Sequence, residues 1–329
     1  MTNEVMTLEK LNTLLTPFQL KGKIAIAVSG GADSLALAFM MKKWADSYNQ
    51  SIQLITITID HKLRPESTSE AEKVSSWMKN QSLEHHILTW EHSLLTSRLQ
   101  QTARQARYQL LKEWCIAHTV ETLMTAHHLY DQWETFMMRL SKGSGLTGLC
   151  SIRSCIKTDY GQLIRPFLTT SPTVFKNFLK EINHPFIQDP SNENIRHERI
   201  KWRQFFSVLS DKGLSPDMIQ KTIYRLQRTD LYCNQQTDKA FLDCYDIHHG
   251  LKINKFRMIP QEIGQRILNK IISYPHQSHP LSYQSLSLLY QKIIAPNFKG
   301  ATLGGYYFKR KAKGWIEFVK EKRTSIHKK

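Results

Sequence analysis

The sequence predicts an α/β protein, a doubly wound and mostly parallel sheet followed by a smaller, mainly helical and basic C-terminal domain. Three observations carry this expectation. Short apolar runs alternate with amphipathic stretches of helical period through the first part of the chain. The run IQLITITID (52–60) is β-branched and apolar enough for a strand buried on both faces, which points to a parallel sheet. Charge is also unevenly spread: residues 211–329 carry 21 Lys+Arg against 9 Asp+Glu, a net +12, whereas residues 1–210 carry 24 against 19, a net +5.

The elements follow in order. KIAIAVS (23–29) is a short apolar strand ending in the pair Gly30-Gly31, and residues 34–44 place Leu35, Leu37, Ala38, Met41 and Trp44 at helical spacing. The strand 52–60 comes next, then a polar-faced helix over 66–80 and a strand over 84–90 (EHHILTW). A long helix covers 98–117, a strand 122–128 (TLMTAHH) and a helix 131–141. Ser210-Asp211-Lys212-Gly213 marks the boundary between a domain of residues 1–210 and one of residues 211–329. Beyond it the pattern is helical, with a late hairpin turning at Lys313-Gly314.

At 329 residues and 41% hydrophobic content the chain can bury a sizeable core. A formal net charge of +17 favours a polyanionic partner such as nucleic acid. The five cysteines, at 115, 150, 155, 233 and 244, form no CxxC pair and no finger-spaced set with histidines. That argues against structural zinc and a redox dithiol, and fits a reducing compartment. The N-terminus has no apolar run of signal length, and no stretch of about 18 apolar residues occurs. The expectation is a cytoplasmic protein without a membrane span; whether it acts alone or as a homodimer stays open.

In doubly wound sheets ligands bind beyond the carboxyl ends of the strands, which here directs attention to Ser29–Ser34, to Asp60 and His61, and to residues 127–131. Ser29-Gly30-Gly31-Ala32-Asp33-Ser34 lacks the spacing of a Walker A loop. Two adjacent glycines nevertheless let the backbone turn sharply, and the amides that open the next helix face outward as anion donors. Ser29 and Ser34 add hydroxyls. Asp33 beside phosphates calls for a divalent cation, Mg²⁺, between like charges. The bland alternative is a glycine turn in which Asp33 or Ser34 merely caps a helix.

The hexapeptide resembles the PP-loop of the N-type ATP-pyrophosphatases, which cleave ATP between the α and β phosphates. Five further blocks occur in order: IDHKLRPESTSEA (59–71), QTARQARYQLL (101–111), TAHHLYDQWETFMMRLSKGSGLTGL (125–149), LIRPFL (163–168) and DPSNENIRHERIKWR (189–203). Together they resemble the signature blocks of the tRNA(Ile)-lysidine synthetases over roughly residues 24–203. Beyond residue 210 only the family's general plan is matched, a basic tRNA-binding part.

The resemblance implies an adenine nucleotide alpha hydrolase-like fold and a two-step ligation. ATP adenylates the carbon-2 oxygen of the wobble cytidine in a CAU anticodon, and the amine of lysine then displaces AMP to give lysidine. It implies Ser29 to Ser34 and His61 at ATP, with Arg64 nearby, and Asp33 and Asp131 at Mg²⁺. It implies Asp33, Arg107, His127, Asp131 and Arg199 as catalytic residues, and Asp131 with Glu134 at the lysine. An attack on the α-phosphate builds charge there, so cations and a metal suit the step. Without the resemblance, Arg104 and Arg107 read as the solvated face of an amphipathic helix, and Arg199, Lys201 and Arg203 as a basic helix face or a phosphate-binding run. His127 and His128 alone read as ordinary polar residues at a strand end.

The chain departs from the family pattern at three places. Tyr130 stands where the first of two aspartates is usual, Trp133 replaces a small residue on the pocket side, and Lys142 replaces arginine. The rival readings are a PP-loop enzyme that thiolates a tRNA base, for which the cysteine spacing is poor, and a tRNA-binding protein with a decayed ATP site.

Overall fold

The computed structural model describes residues 5–92, 99–188, 198–273 and 281–321. The chain divides into two compact units, Met1–Ser144 with Gly148–Ile223, and Gly145–Thr147 with Tyr224–Lys329.

The first unit opens with α1 (Leu8–Leu15), capped by the Thr7 hydroxyl. The sheet is then built in the alternation β1 (Lys23–Ala27), α2 (Ala32–Tyr48), β2 (Gln53–Asp60), α3 (Ser67–Asn80), β3 (Glu84–Thr89), α4 (Leu99–Ala117), β4 (Thr122–Met124) and α5 (Leu129–Ser141). The single turn α6 (Leu146–Leu149), the hairpin β5 (Cys155–Thr158) and β6 (Gly161–Ile164), α7 (Pro172–Glu181) and α8 (Glu198–Asp211) follow. Strand order is β3-β2-β1-β4-β6-β5, parallel throughout except for the β5–β6 pair.

β1 shows why both faces are covered. Ile24 and Ile26 point into one core with Leu37 and Met41 of α2 and Phe175 of α7, whereas Ala25 between them points into the other with Leu111 and Trp114 of α4. This is the period of two expected of a strand, with apolar residues on both sides because helices pack both sides.

β4 is shorter than the sequence suggests. It pairs only through Met124, and after the Thr125 N–H donates to the Ile164 carbonyl the chain leaves the sheet. His128 then caps α5, which therefore starts at Leu129. α2 likewise starts directly after Gly31.

The contact boundary falls inside α9 (Pro216–Cys244), between Ile223 and Tyr224, where sequence composition suggested residue 210. The second unit contains an antiparallel sheet in the order β7-β8-β11-β10-β9, from β7 (Tyr245–Asp246), β8 (Gly250–Lys252), β9 (Gly300–Leu303), β10 (Tyr306–Arg310) and β11 (Trp315–Lys320). It packs with α10 (Ile253–Arg257), α11 (Gln261–Ser273) and α12 (Tyr283–Ile294) through a core of Phe256, Ile267, Leu268, Ile293, Phe308 and Ile316. The β10–β11 turn carries positive φ at Lys313 and Gly314, where the hairpin was expected. The sheet is larger than that one hairpin, because strands of two to four residues leave too little alternation to read. The β9–β10 turn at Gly304-Gly305 is one such feature, with φ of 61° and 78°.

Candidate active site

At the carboxyl ends of β1, β2 and β4 the first unit holds an open cavity of about 360 Å³. Its wall contains Ser29, Gly31, Asp33 and Ser34 after β1, His61 and Arg64 after β2, Arg104 and Arg107 from α4, and His127 and Asp131 after β4. Most of the residues expected at the site, from four separate segments, therefore meet in one place.

The loop after β1 is held by its own hydroxyls. The Ser34 Oγ accepts from the Ser29 N–H at 3.1 Å and donates to the Gly31 carbonyl at 3.0 Å. Gly31 caps α2 without a side-chain bond, so the amides of the first turn are left for a ligand. Gly30 is the turn itself. Its φ is +83°, and a Cβ would lie 2.5 Å from Ile187 Cδ1 and 2.8 Å from Val74 Cγ2. The Gly30 carbonyl accepts the Ile187 N–H at 2.9 Å, which anchors the back of the loop. Gly30 and Ala32 therefore shape the loop from behind rather than lining the cavity.

Asp60 is buried and serves the loop after β2, accepting the Lys62 N–H at 3.0 Å and the Thr68 hydroxyl at 2.7 Å. This places His61 against α4, where Arg107 donates to His61 Nε2 through Nε at 3.2 Å and Nη2 at 3.1 Å. The His61 pKa is pushed down to about 4, by burial first and then by the Arg107 charge, with Asp60 only partly opposing them. His61 is therefore a neutral acceptor that fixes the Arg107 guanidinium. Arg64 is paired with Glu70 at 2.7 Å, and Arg104 lies over the Tyr108 ring.

The segment after β4 joins two helix beginnings. His127 Nδ1 bonds the Thr125 hydroxyl at 2.9 Å. His128, set aside by sequence reasoning, is the buried centre of the arrangement. Its Nε2 lies 3.5 Å from Asp33 Oδ2 and its Nδ1 3.5 Å from Asp131 Oδ2. Its backbone N–H donates to Asp131 Oδ2 at 2.9 Å, while its Nδ1 accepts the Asp131 N–H at 3.4 Å, closing a capping box. Burial disfavours charge on this ring, but the hydrogen bond to Asp33 and the negative field of Asp131, Asp33 and Glu134 outweigh it, so the His128 pKa is held above its ordinary value. Its place after β4 lay within the stretch singled out in the sequence, but its capping role carried no signal, because histidine is not a usual cap residue.

The other expected residues fall elsewhere. Glu134 is completely buried and lies off the cavity wall, although its charge reaches His128. The side chains of Arg199 and Arg203 lie outside the described residues. Trp133 does not line the cavity; it is buried against α8, with Trp202 at 6.4 Å and Phe206 at 5.4 Å between ring centroids. Tyr130 packs on the same Phe206 at 5.0 Å. The two departures from the family pattern on α5 thus form one aromatic contact with α8, spaced i and i+3 so that both face it.

Mg²⁺ commonly takes one or two carboxylates and completes its shell with phosphate oxygens and water. Asp33, with a 38% exposed side chain at the phosphate loop, and Asp131 fit that donor set in kind. The Cys115 thiol, pushed up to about 12 by burial, and the Cys244 thiol, pushed up to about 11 by burial first, are unsuited to sulfur transfer.

Residues 3–208 match the PP-loop domain family. The chain is 33% identical over 278 residues to the tRNA(Ile)-lysidine synthase of Wolbachia pipientis wMel, covering 83% of this chain and 64% of that one. It is 31% identical over 284 residues to the tRNA(Ile)-lysidine synthase of Rhodopseudomonas palustris, covering 84% of this chain and 82% of that one. Among solved structures, the U34-tRNA thiolase NcsA from Methanococcus maripaludis, with its [4Fe-4S] cluster, superposes with a TM-score of 0.58 at 18% identity over 67% of this chain and 76% of that one, a likeness of fold. The chain spans about two thirds of the length of the Wolbachia relative. By its matched PP-loop domain and by identity over most of a relative's length, the chain belongs to the tRNA(Ile)-lysidine synthase family of PP-loop proteins.

Proposed function

We propose that the protein uses ATP to adenylate the wobble cytidine of an isoleucine tRNA with a CAU anticodon and then couples lysine to it, releasing AMP and pyrophosphate. The observation that carries this reading is the convergence of the glycine loop, Arg107, His127 and Asp131 on one cavity at the carboxyl ends of parallel strands. The amides of Asp33 and Ser34 in the first turn of α2 and the Ser29 hydroxyl bind the phosphates of ATP, with the Ser34 hydroxyl holding the loop in shape. Arg107, aimed by neutral His61, faces the charge that builds on the α-phosphate as the cytidine oxygen attacks. Asp33 and Asp131 would hold Mg²⁺, which when bound neutralises phosphate oxygens. The first unit is the catalytic part. Residues 211–329, with a net +12, supply the surface for tRNA.

For the second step the lysine amine must be neutral to attack, and Asp131, at the start of α5 with a 14% exposed carboxylate, is the group on the cavity wall suited to take its proton. Glu134, one turn further on, contributes negative charge from beneath and favours the ammonium end of lysine.

The test is incorporation of labelled lysine into an unmodified isoleucine tRNA transcript bearing CAU, with ATP and Mg²⁺. Incorporation dependent on both is expected; no incorporation across a range of metal concentrations would overturn the reading. Asp33→Ala is expected to abolish AMP release while leaving tRNA affinity within about twofold, since Asp33 caps nothing. A matching loss of tRNA affinity would make its role structural.

A further inference from the structure

The second unit carries more positive charge than its own carboxylates answer. Several of its cations are neutralised in place: Lys255 by Asp243, Arg266 by Asp230 and Glu262, Lys270 by Asp238 and Lys311 by Glu317. α9 is different. Asp230 and Thr237 are buried on its inner face, and Cys244 continues that face. At 100° per residue, Tyr224, Arg225, Arg228, Tyr232, Gln235 and Lys239 fall within about 100° of arc on the opposite side. All six are exposed or half-exposed.

Among the described residues no carboxylate pairs with Arg225, Arg228 or Lys239. Within the face, the Arg228 guanidinium lies over the Tyr224 ring at 6.0 Å. Tyr224 and Tyr232 expose 59% and 61% of their surface, which is unusual for large rings on a helix with a well-packed inner side.

We propose that this outer face of α9, from Tyr224 to Lys239, is a docking surface for RNA. Its cations are spaced to contact phosphates along one strand, and its tyrosines stack on nucleotides that are not paired. The face runs about 21 Å from Arg225 to Lys239, long enough to follow several phosphates. Charge complementarity decides the occupant. Unanswered arginines with interleaved aromatic rings suit a polyanion carrying flat bases, and arginine offers both the fork for phosphate and a plane for stacking. An acidic protein segment would not use the rings, and a membrane surface would call for an apolar face where this helix presents Gln235 and the cations. The assignment rests on the reading of the substrate as tRNA and specifies which surface meets it.

The experiment uses the full chain and an unmodified isoleucine tRNA transcript bearing CAU, with affinity measured at several salt concentrations. R225Q/R228Q is expected to weaken binding and to reduce the slope of log affinity against log salt by about two, one for each phosphate that an arginine no longer neutralises. R225K/R228K should keep most of the slope, which separates charge from folding. Y232L should cost about tenfold in affinity with the slope unchanged, as loss of stacking requires. ATP affinity should stay at the wild-type value in all three. If the wild type binds and modifies the tRNA while R225Q/R228Q keeps the wild-type slope, the docking surface is overturned and the function stands. If the wild type binds no tRNA, the functional reading falls first. Loss of binding to anionic vesicles in R225Q/R228Q, with tRNA affinity intact, would replace RNA by a membrane as the occupant and overturn the assignment.

Discussion

His128 offers the sharpest separation of a structural from a functional role. Its ring does two jobs: Nδ1 takes part in the cap of α5, and Nε2 reaches Asp33 at the start of α2. His128→Asn keeps the first and removes the second. Asparagine is a strong cap residue, and the 2.9 Å bond from the residue 128 N–H to Asp131 belongs to the backbone. The Nε2–Asp33 separation is long at 3.5 Å, and Asp33 is 38% exposed, so water can take over much of this interaction. Hydrogen bonds to charged groups are worth about 1.5–3 kcal/mol, and the length and exposure of this one bring it below that range, to about 1 kcal/mol. Replacing a buried ring by a smaller amide adds about 1 kcal/mol for imperfect packing. His128→Ala loses the cap as well, for about 1 kcal/mol more.

The effect on catalysis should be disproportionate. Asp33 would no longer be tethered to the segment after β4, and a misplacement of about 1 Å at a reacting group costs up to about 100-fold. For His128→Asn we expect kcat for lysine incorporation to fall at least about tenfold, and the Mg²⁺ concentration at half-maximal rate to rise. KM for tRNA should not change. Single-turnover incorporation over a metal titration, alongside urea unfolding, measures all of these. Wild-type kcat in His128→Asn, with a stability loss in His128→Ala, would refute the tether and leave His128 a cap.

Three further outcomes follow from the same geometry. Gly30→Ala must place a Cβ against Ile187 and Val74 at a φ of +83°, so it should lose at least about 2 kcal/mol of stability and most ATP affinity; retention of both would mean that the loop relaxes freely. His61 has its folded pKa lowered to about 4 from 6.5, so its neutral ring carries no protonation cost above about pH 6.5, where both folded and unfolded chains hold it uncharged, and increasingly costs stability as pH falls from 6.5 towards 4, where only the unfolded chain takes up the proton. The stability advantage of wild type over His61→Gln should therefore shrink from pH 7 to pH 5, and a constant difference would refute the assignment. Asp230, 1% exposed, answers Arg266 at 2.9 Å and accepts the Thr147 hydroxyl at 2.8 Å, so Asp230→Ala strands a largely buried guanidinium and should destabilise the second unit by about 3 kcal/mol in thermal unfolding. A loss under about 1 kcal/mol would show that Glu262 suffices.

The sequence alone determined the sheet of the first unit and the positions after its strands. Buried parallel strands such as 52–60 are dominated by β-branched and apolar residues, and a phosphate loop must spell its glycines, so both are written locally. Asp33, His61, His127 and Asp131 drew attention because they follow strands, whereas Arg107, and the roles given to all five, came from the resemblance of their sequence blocks to a known family. The early end of β4 and the depth of Glu134 depended on where α5 packs, which local pattern does not encode. The small sheet of the second unit was hidden by the shortness of its strands. His128 shows the limit most clearly. Beside another histidine at a strand end it reads as a polar residue of no account, and only the folded chain, by bringing the starts of α2 and α5 within 3.5 Å of one ring, makes it the link between two carboxylates that lie 98 positions apart in the chain.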